Sequence, residues 1–148
     1  MTVNPKVQPL PSPFHAGERS LQSLYDVAQR MEDVGRRVIR SYMPDAHRLF
    51  FAELPFLVLG SVDGAGRPWA TLLEGPPGFV HSPDPRRLEV DRGLAAGDPA
   101  RDGIEEGAAV GVLGIELPTR RRNRMNGRVQ DHRVEGFAVE VEQSFGNC

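Results

Sequence analysis

The stretch Ala108–Val129, AAVGVLGIELPTRRRNRMNGRV, decides how this 148-residue chain is read. Its first half carries Val110, Val112, Leu113, Ile115 and Leu117 among small glycines. A short apolar run rich in β-branched residues, bounded by turn signals, predicts a strand buried on both faces. Pro118 ends it, because proline cannot donate to an interior ladder. The second half is basic, from Arg120 through Arg128. As a strand it alternates, with Arg122, Arg124, Asn126 and Arg128 on one face and Asn123, Met125, Gly127 and Val129 on the other. Like charges stacked on one face repel, so stability alone gives little reason to collect them. A bound anion, most simply a phosphate, relieves that repulsion, and guanidinium forks match its geometry. A solvated basic edge is the ordinary fate of such a run. The core-like strands on either side favour the anion site here.

Working outward, the segments on both sides also carry strand signals. Phe56–Val62 and Trp69–Leu73 flank Asp63-Gly64-Ala65-Gly66, a hairpin signature. Short strands are expected at Phe79–Ser82 and Leu88–Val90, and Gly93–Gly107 reads as a loop with room for one helical turn. After a turn at Asp131-His132, the span Val134–Gln143 alternates Phe137, Val139 and Val141 against Glu140 and Glu142. Upstream, apolar residues spaced by three and four from Leu21 to Tyr42 predict one amphipathic helix over Gly17–Met43. Pro44 stops it, and Asp45 opens a shorter helix through Glu53. Residues 1–16, with prolines at 5, 9, 11 and 13, are expected to run as an extended arm. Residues 17–148 are expected to form one domain. Helices followed by hairpin-linked strands give a mainly β, α+β architecture. Its expected form is a six-stranded antiparallel barrel behind a long and a short helix.

Composition narrows the function. Formal charge is −2, so the basic cluster sits in a slightly acidic background. No aromatic interleaves Arg120–Arg128, which argues against a single-strand nucleic-acid track. No apolar span suggests a membrane partner, and the one cysteine, Cys148, excludes an intramolecular disulfide. A cytoplasmic protein with a small-molecule ligand is the expectation. The four histidines stand singly without metal-ligand spacing, and surface or capping roles fit them better. Trp69 suits barrel filling or stacking on a planar ligand. A second cluster, His81-Ser82-Pro83-Asp84-Pro85-Arg86-Arg87, sets a hydroxyl and two guanidiniums in one turn, a common phosphate grip.

Three segments, LPFLVLGSVDGAGRPWATLLEGPPGF, HSPDPRRLEV and VGVLGIELPTRRRNRMNGRV, together resemble the pyridoxamine 5'-phosphate oxidase-like family of FMN-binding split β-barrels. The resemblance implies a six-stranded Greek-key split barrel and a homodimer with FMN at the subunit interface. It implies that Trp69, Ala70, Thr71 and Leu72 run along the flavin ring and ribityl chain. Ser82 with Arg86 or Arg87 would then hold the phosphate, and Arg124 and Asn126 would approach from the basic strand. Oxidases of the family typically carry Arg at the position of Trp69 and Lys at that of Glu74. The implied activity is therefore a flavin-dependent oxidoreductase for a small molecule other than pyridoxamine phosphate. A flavin-free binding or dimerisation module is the alternative, as is a relative that uses deazaflavin or haem. No catalytic residue is singled out.

Overall fold

The computed structural model describes residues 11–146. The chain divides into two compact units, residues 1–39 and 40–148. Most of the predicted arm, residues 1–10, lies outside the described residues, as do Asn147 and Cys148.

In the first unit the single predicted helix is two, α1 (Ala16–Leu24) and α2 (Ala28–Val38). The break is a left-handed Asp26 at φ 56°. Asp26 N–H donates to the Ser23 carbonyl and Val27 N–H to that of Gln22. This closes α1 in a Schellman turn with aspartate where glycine is usual. The apolar spacing continues through Tyr25 and Ala28, so periodicity could not reveal the break. His15 caps α1, its Nδ1 accepting from the Gly17 and Glu18 amides. Gly35 lies under the Phe14 ring, where a Cβ would come within 2.5 Å. α2 ends at Val38, and the chain is extended at Ile39, well before Pro44.

The second unit holds α3 (Asp45–Glu53) and seven strands. These are β1 (Phe56–Val62), β2 (Pro68–Glu74), β3 (Val80–Asp84), β4 (Arg87–Val90), β5 (Ala109–Glu116), β6 (Arg121–Arg133) and β7 (Gly136–Gly146). All pair antiparallel in the order β2-β1-β5-β6-β7-β4-β3. The count is seven against the six expected, because the short β3 and β4 both join the ladder. β6 runs four residues past Val129, so the expected turn at Asp131-His132 falls instead at Val134-Glu135.

One face of every strand enters a single core that includes Leu57, Leu59, Val80, Leu88, Val112, Met125 and Phe137. The sheet therefore curls around that core, while its end strands β2 and β3 are not hydrogen-bonded neighbours. This is a split barrel. Phe50 and Phe51 of α3 and Leu54 just after it join the core, and they pack on Gly114, where a Cβ would meet their rings and methyls at 2.7–2.9 Å. β5 corrects the expectation of burial on both faces. Val110, Val112 and Gly114 are buried, whereas Gly111, Leu113 and Ile115 stay half-exposed.

Two polar clusters fix the ends of the barrel. At the β1–β2 hairpin, buried Asp63 accepts from the Ala65 and Arg67 amides, the Arg67 guanidinium and the Trp69 indole N–H. Those bonds, led by the indole, hold its carboxyl far below the ordinary 3.8 against the opposing effect of burial. At the other end, His47 Nδ1 lies 2.9 Å from the hydroxyl of fully buried Ser144, whose backbone pairs with Arg40. Burial, and then the Arg40 charge, lowers the His47 pKa.

The two groups predict opposite variants with one sign. Asp63 contributes stability above its unfolded pKa, and that contribution is lost as pH falls through the acid range. Asp63→Asn should lower Tm at pH 7, and the gap to wild type should narrow below about pH 4. Burial favours the neutral form of His47 in the fold, so its contribution is complete above about pH 6.5 and lost on acidification. His47→Gln should flatten the fall of Tm between pH 7 and pH 5. Thermal melts followed by circular dichroism check both, and an unchanged slope for His47→Gln would refute the second.

Candidate functional site

The register of four strands assembles one outward face. Gly60 pairs with Ala70 on one side and Gly111 on the other, and Gly111 pairs with Asn126. The next row along the strands reads Leu72, Val58, Leu113 and Arg124. Beyond it, Glu74 lies opposite Phe56 at one side, and Arg122 opposite Ile115 at the other. Strand alternation makes this unavoidable: with Leu57, Leu59, Val112 and Met125 in the core, their neighbours must face out.

The basic strand is divided by this arrangement. Arg121 turns to Glu116 and stacks on Phe50, 5.2 Å from the ring centroid. Arg128 bonds Glu142 and the Gly107 carbonyl. Among the described residues, Arg122 and Arg124 make no ion pair and stand exposed on the outward face. Arg124 borders a shallow hollow of about 250 Å³ floored by Gly60 and Gly111, with Val58 and Leu113 along it and Asn126 at its edge.

Gly60 has no internal reason to be glycine, and Gly111 has only a single tight side-chain neighbour. A Cβ on Gly60 would approach nothing closer than 3.7 Å, and one on Gly111 only the Asn126 Oδ1 at 3.3 Å. Neither has a positive φ. Elsewhere in the strands, Gly114, Gly127 and Gly136 are required by neighbours within 3 Å. An interior strand glycine free of such demands marks a place where something external approaches the backbone closely. A flat ring with an anionic tail fits this floor and its unpaired guanidinium.

The residues expected to hold the cofactor are thus only partly gathered. Ala70, Leu72, Arg124 and Asn126 share the outward face. Trp69 and Thr71 lie on the opposite face of β2. The Trp69 indole donates to Asp63 and lies under Arg67, 5.7 Å from the ring centroid. Thr71 donates to Asp98, which caps the 3-10 turn Pro99–Gly103. Both side chains therefore fasten the barrel within this chain. Ser82 lies on β3, at the far end of the sheet, where Arg48 holds it: Nε donates to its hydroxyl at 3.1 Å and Nη2 to its carbonyl at 2.8 Å. The Ser82 hydroxyl in turn donates to the Asp84 carbonyl. Arg87 pairs with Glu89 and Asp131, while Arg86 is exposed beside Asp84 and Glu140. The Ser82 cluster and the Arg124 face are separate in one chain. Arg48 and the two glycines were missed by motif reading. Gly60 and Gly111 share the outward parity of Arg124, which is the one signal that could have found them.

The fold is that of a small split barrel, and the comparisons agree. The family model for pyridoxamine 5'-phosphate oxidase matches residues 43–147, and the chain belongs to that family. Solved structures share the fold at low identity. An FMN-binding protein from Syntrophomonas wolfei superposes with a TM-score of 0.54 at 9% identity, over 87% of this chain and 97% of that one. A candidate pyridoxamine 5'-phosphate oxidase from Lactobacillus delbrueckii gives 0.54 at 18%, over 72% and 95%. HupZ of Group A Streptococcus gives 0.53 at 14%, over 70% and 93%. No curated protein matches.

The Arg48 clamp yields a direct test. Arg48→Ala removes several charge-assisted bonds at once and should lower stability by about 2 kcal/mol, read by urea unfolding. Ser82→Ala, which leaves the carbonyl bonds to Arg48 in place, should cost about 1 kcal/mol or less. Equal losses would mean that the hydroxyl, not the guanidinium, carries the contact.

Proposed function

We propose that this chain binds FMN on the outward face of β2, β1, β5 and β6 and works as a homodimer with the cofactor at the subunit interface. The single observation that carries the reading is the glycine floor of Gly60 and Gly111 beside the unpaired Arg124. Family membership supports it. Leu72, Val58 and Leu113 supply the apolar border that keeps water from a bound ring, and Arg124 balances the anionic end. Asn126 donates its amide to Gln143, which fixes its carbonyl oxygen toward the floor. Ser82 and Arg86 join the phosphate grip only if a second subunit brings them to this face.

When bound, FMN supplies hydride chemistry, and the reaction class is a flavin-dependent oxidoreductase acting on a small molecule. This chain's residues bind, orient and exclude water. The substrate differs from pyridoxamine phosphate, because Trp69 and Glu74 stand where oxidases of the family carry arginine and lysine. A cytoplasmic location belongs to the same reading.

Fluorescence-quenching titration tests it. Wild type should bind FMN, and Arg124→Ala should weaken FMN by about 10- to 100-fold while leaving riboflavin nearly unchanged. Equal losses for the two ligands would remove Arg124 from the phosphate. Absence of quenching with wild type would overturn the flavin reading and leave the flavin-free module.

A further inference from the structure

β7 is longer than the strand beside it. β4 pairs with Phe137, Ala138, Val139 and Glu140, so the rest of that edge needs other partners. The Arg86 carbonyl takes the Val141 amide. Beyond it, residues 40–43, just before α3, lie along β7 as a strap. Arg40 and Ser144 exchange both backbone bonds, at 3.0 and 2.7 Å, and the Met43 amide donates to the Pro85 carbonyl at 2.7 Å. Met43 is fully buried and anchors the strap in the core. On the other side of β7, Ser144 lies opposite Met125 of β6, and Gln143 lies opposite Asn126. Gln143 accepts the Asn126 amide, the bond that turns the Asn126 carbonyl toward the Gly111 floor. The strap therefore holds the very end of β7 that orients a floor residue.

We propose that His47 makes this strap pH-sensitive: closed on β7 while the imidazole is neutral, released when it takes a proton, with release loosening Gln143 and Asn126 at the floor. The link to the floor rests on the proposed flavin face, whereas the strap itself does not. His47 joins the two parts, its Nδ1 2.9 Å from the hydroxyl of fully buried Ser144. Arg40 acts on the ring from the strap. On its own helix Asp45 and Arg48 pair with each other, and Arg48 also holds Ser82. β7 presents the neutral Ser144 and Gln143, and Arg86 of the β3–β4 turn borders Asp84 and Glu140. Protonation leaves the Ser144 contact intact, because Nδ1–H donates to the hydroxyl oxygen. What it adds is a second, half-buried positive charge beside Arg40. Burial, and then Arg40, lower the His47 pKa in the closed form, while in the open form the ring titrates near 6.5. The closed form is thus favoured above about pH 6.5 and loses ground as pH falls. An imidazole that titrates normally once open limits that loss to about tenfold between about pH 7.5 and pH 5.5.

Amide hydrogen exchange of the full chain, followed by NMR without flavin and corrected for intrinsic rates, tests the strap. The Arg40 and Ser144 amides should be less protected than those of the β1–β5 ladder at pH 7.5. Their protection should fall several-fold, up to about tenfold, by about pH 5.5. His47→Gln should abolish the fall, and Arg40→Gln, which keeps the backbone bridge, should reduce it. If circular dichroism shows His47→Gln unfolded, Arg40→Gln against wild type decides. Strap and ladder amides equally protected, no fall in wild type, or a fall unchanged in either variant would each overturn the strap. Riboflavin, which has no phosphate to titrate, tests the link to the floor by fluorescence quenching at the same two pH values. Its Kd should rise about threefold or more on acidification in wild type and stay constant in His47→Gln. A strap that opens while riboflavin affinity stays constant sinks the link to Asn126. Absence of quenching at both pH values sinks the flavin reading, and the strap still stands or falls on exchange.

Discussion

The constraint on which this molecule depends is the two-residue period of its central strands. β5 and β6 must bury Val110, Val112, Met125 and Val129 to close the core. That requirement alone sends Gly111, Leu113, Arg122 and Arg124 to the other side. No residue on the outward face chooses its orientation independently. A one-residue slip would bury guanidinium groups and expose the core valines, so the hydrophobic pattern pins the register of the whole face. The core and the candidate site are thus two readings of one alternation.

The fate of the basic run shows what a strand does with excess charge. Repulsion is relieved partly inside the chain, by Glu116 for Arg121 and by Glu142 for Arg128. The pairing is not complete. Arg122 and Arg124 lie opposite apolar Ile115 and Leu113 of β5, and among the described residues neither makes an ion pair. Unpaired charge beside uncovered hydrocarbon is the signature of a surface completed by another molecule.

Much of this was legible in sequence, and the limits have physical causes. Strong alternation over 121–129 and 137–142 gave the faces of β6 and β7, and the Asp-Gly turn signal gave the first hairpin. The helix break at Asp26 was not legible, because apolar spacing on both sides of a single left-handed residue continues as though the helix did. The Asp131-His132 turn was misjudged because β6 and β7 carry two register shifts, and bulges let a strand continue past residues that look like turn formers. Trp69 and Ser82 were expected to face a ligand from residue type and from the family resemblance. Their side-chain bonds depend on Asp63 and Arg48, whose proximity only the folded chain creates. A resemblance carries residue identity, whereas parity along the strand carries direction, and for Trp69 and Thr71 the direction is inward.

Arg48 has one more consequence. β3 is an end strand of the sheet, and Ser82 and Pro83 have no register partner on it. Their carbonyls are nevertheless occupied, because the guanidinium from α3 takes both. Pro83 itself has no amide hydrogen to offer. A stray extended peptide arriving at this border would find its acceptors taken and a donor missing, so growth by edge-to-edge strand addition is blocked there. The β3 border is guarded against uncontrolled polymerisation by one helical arginine.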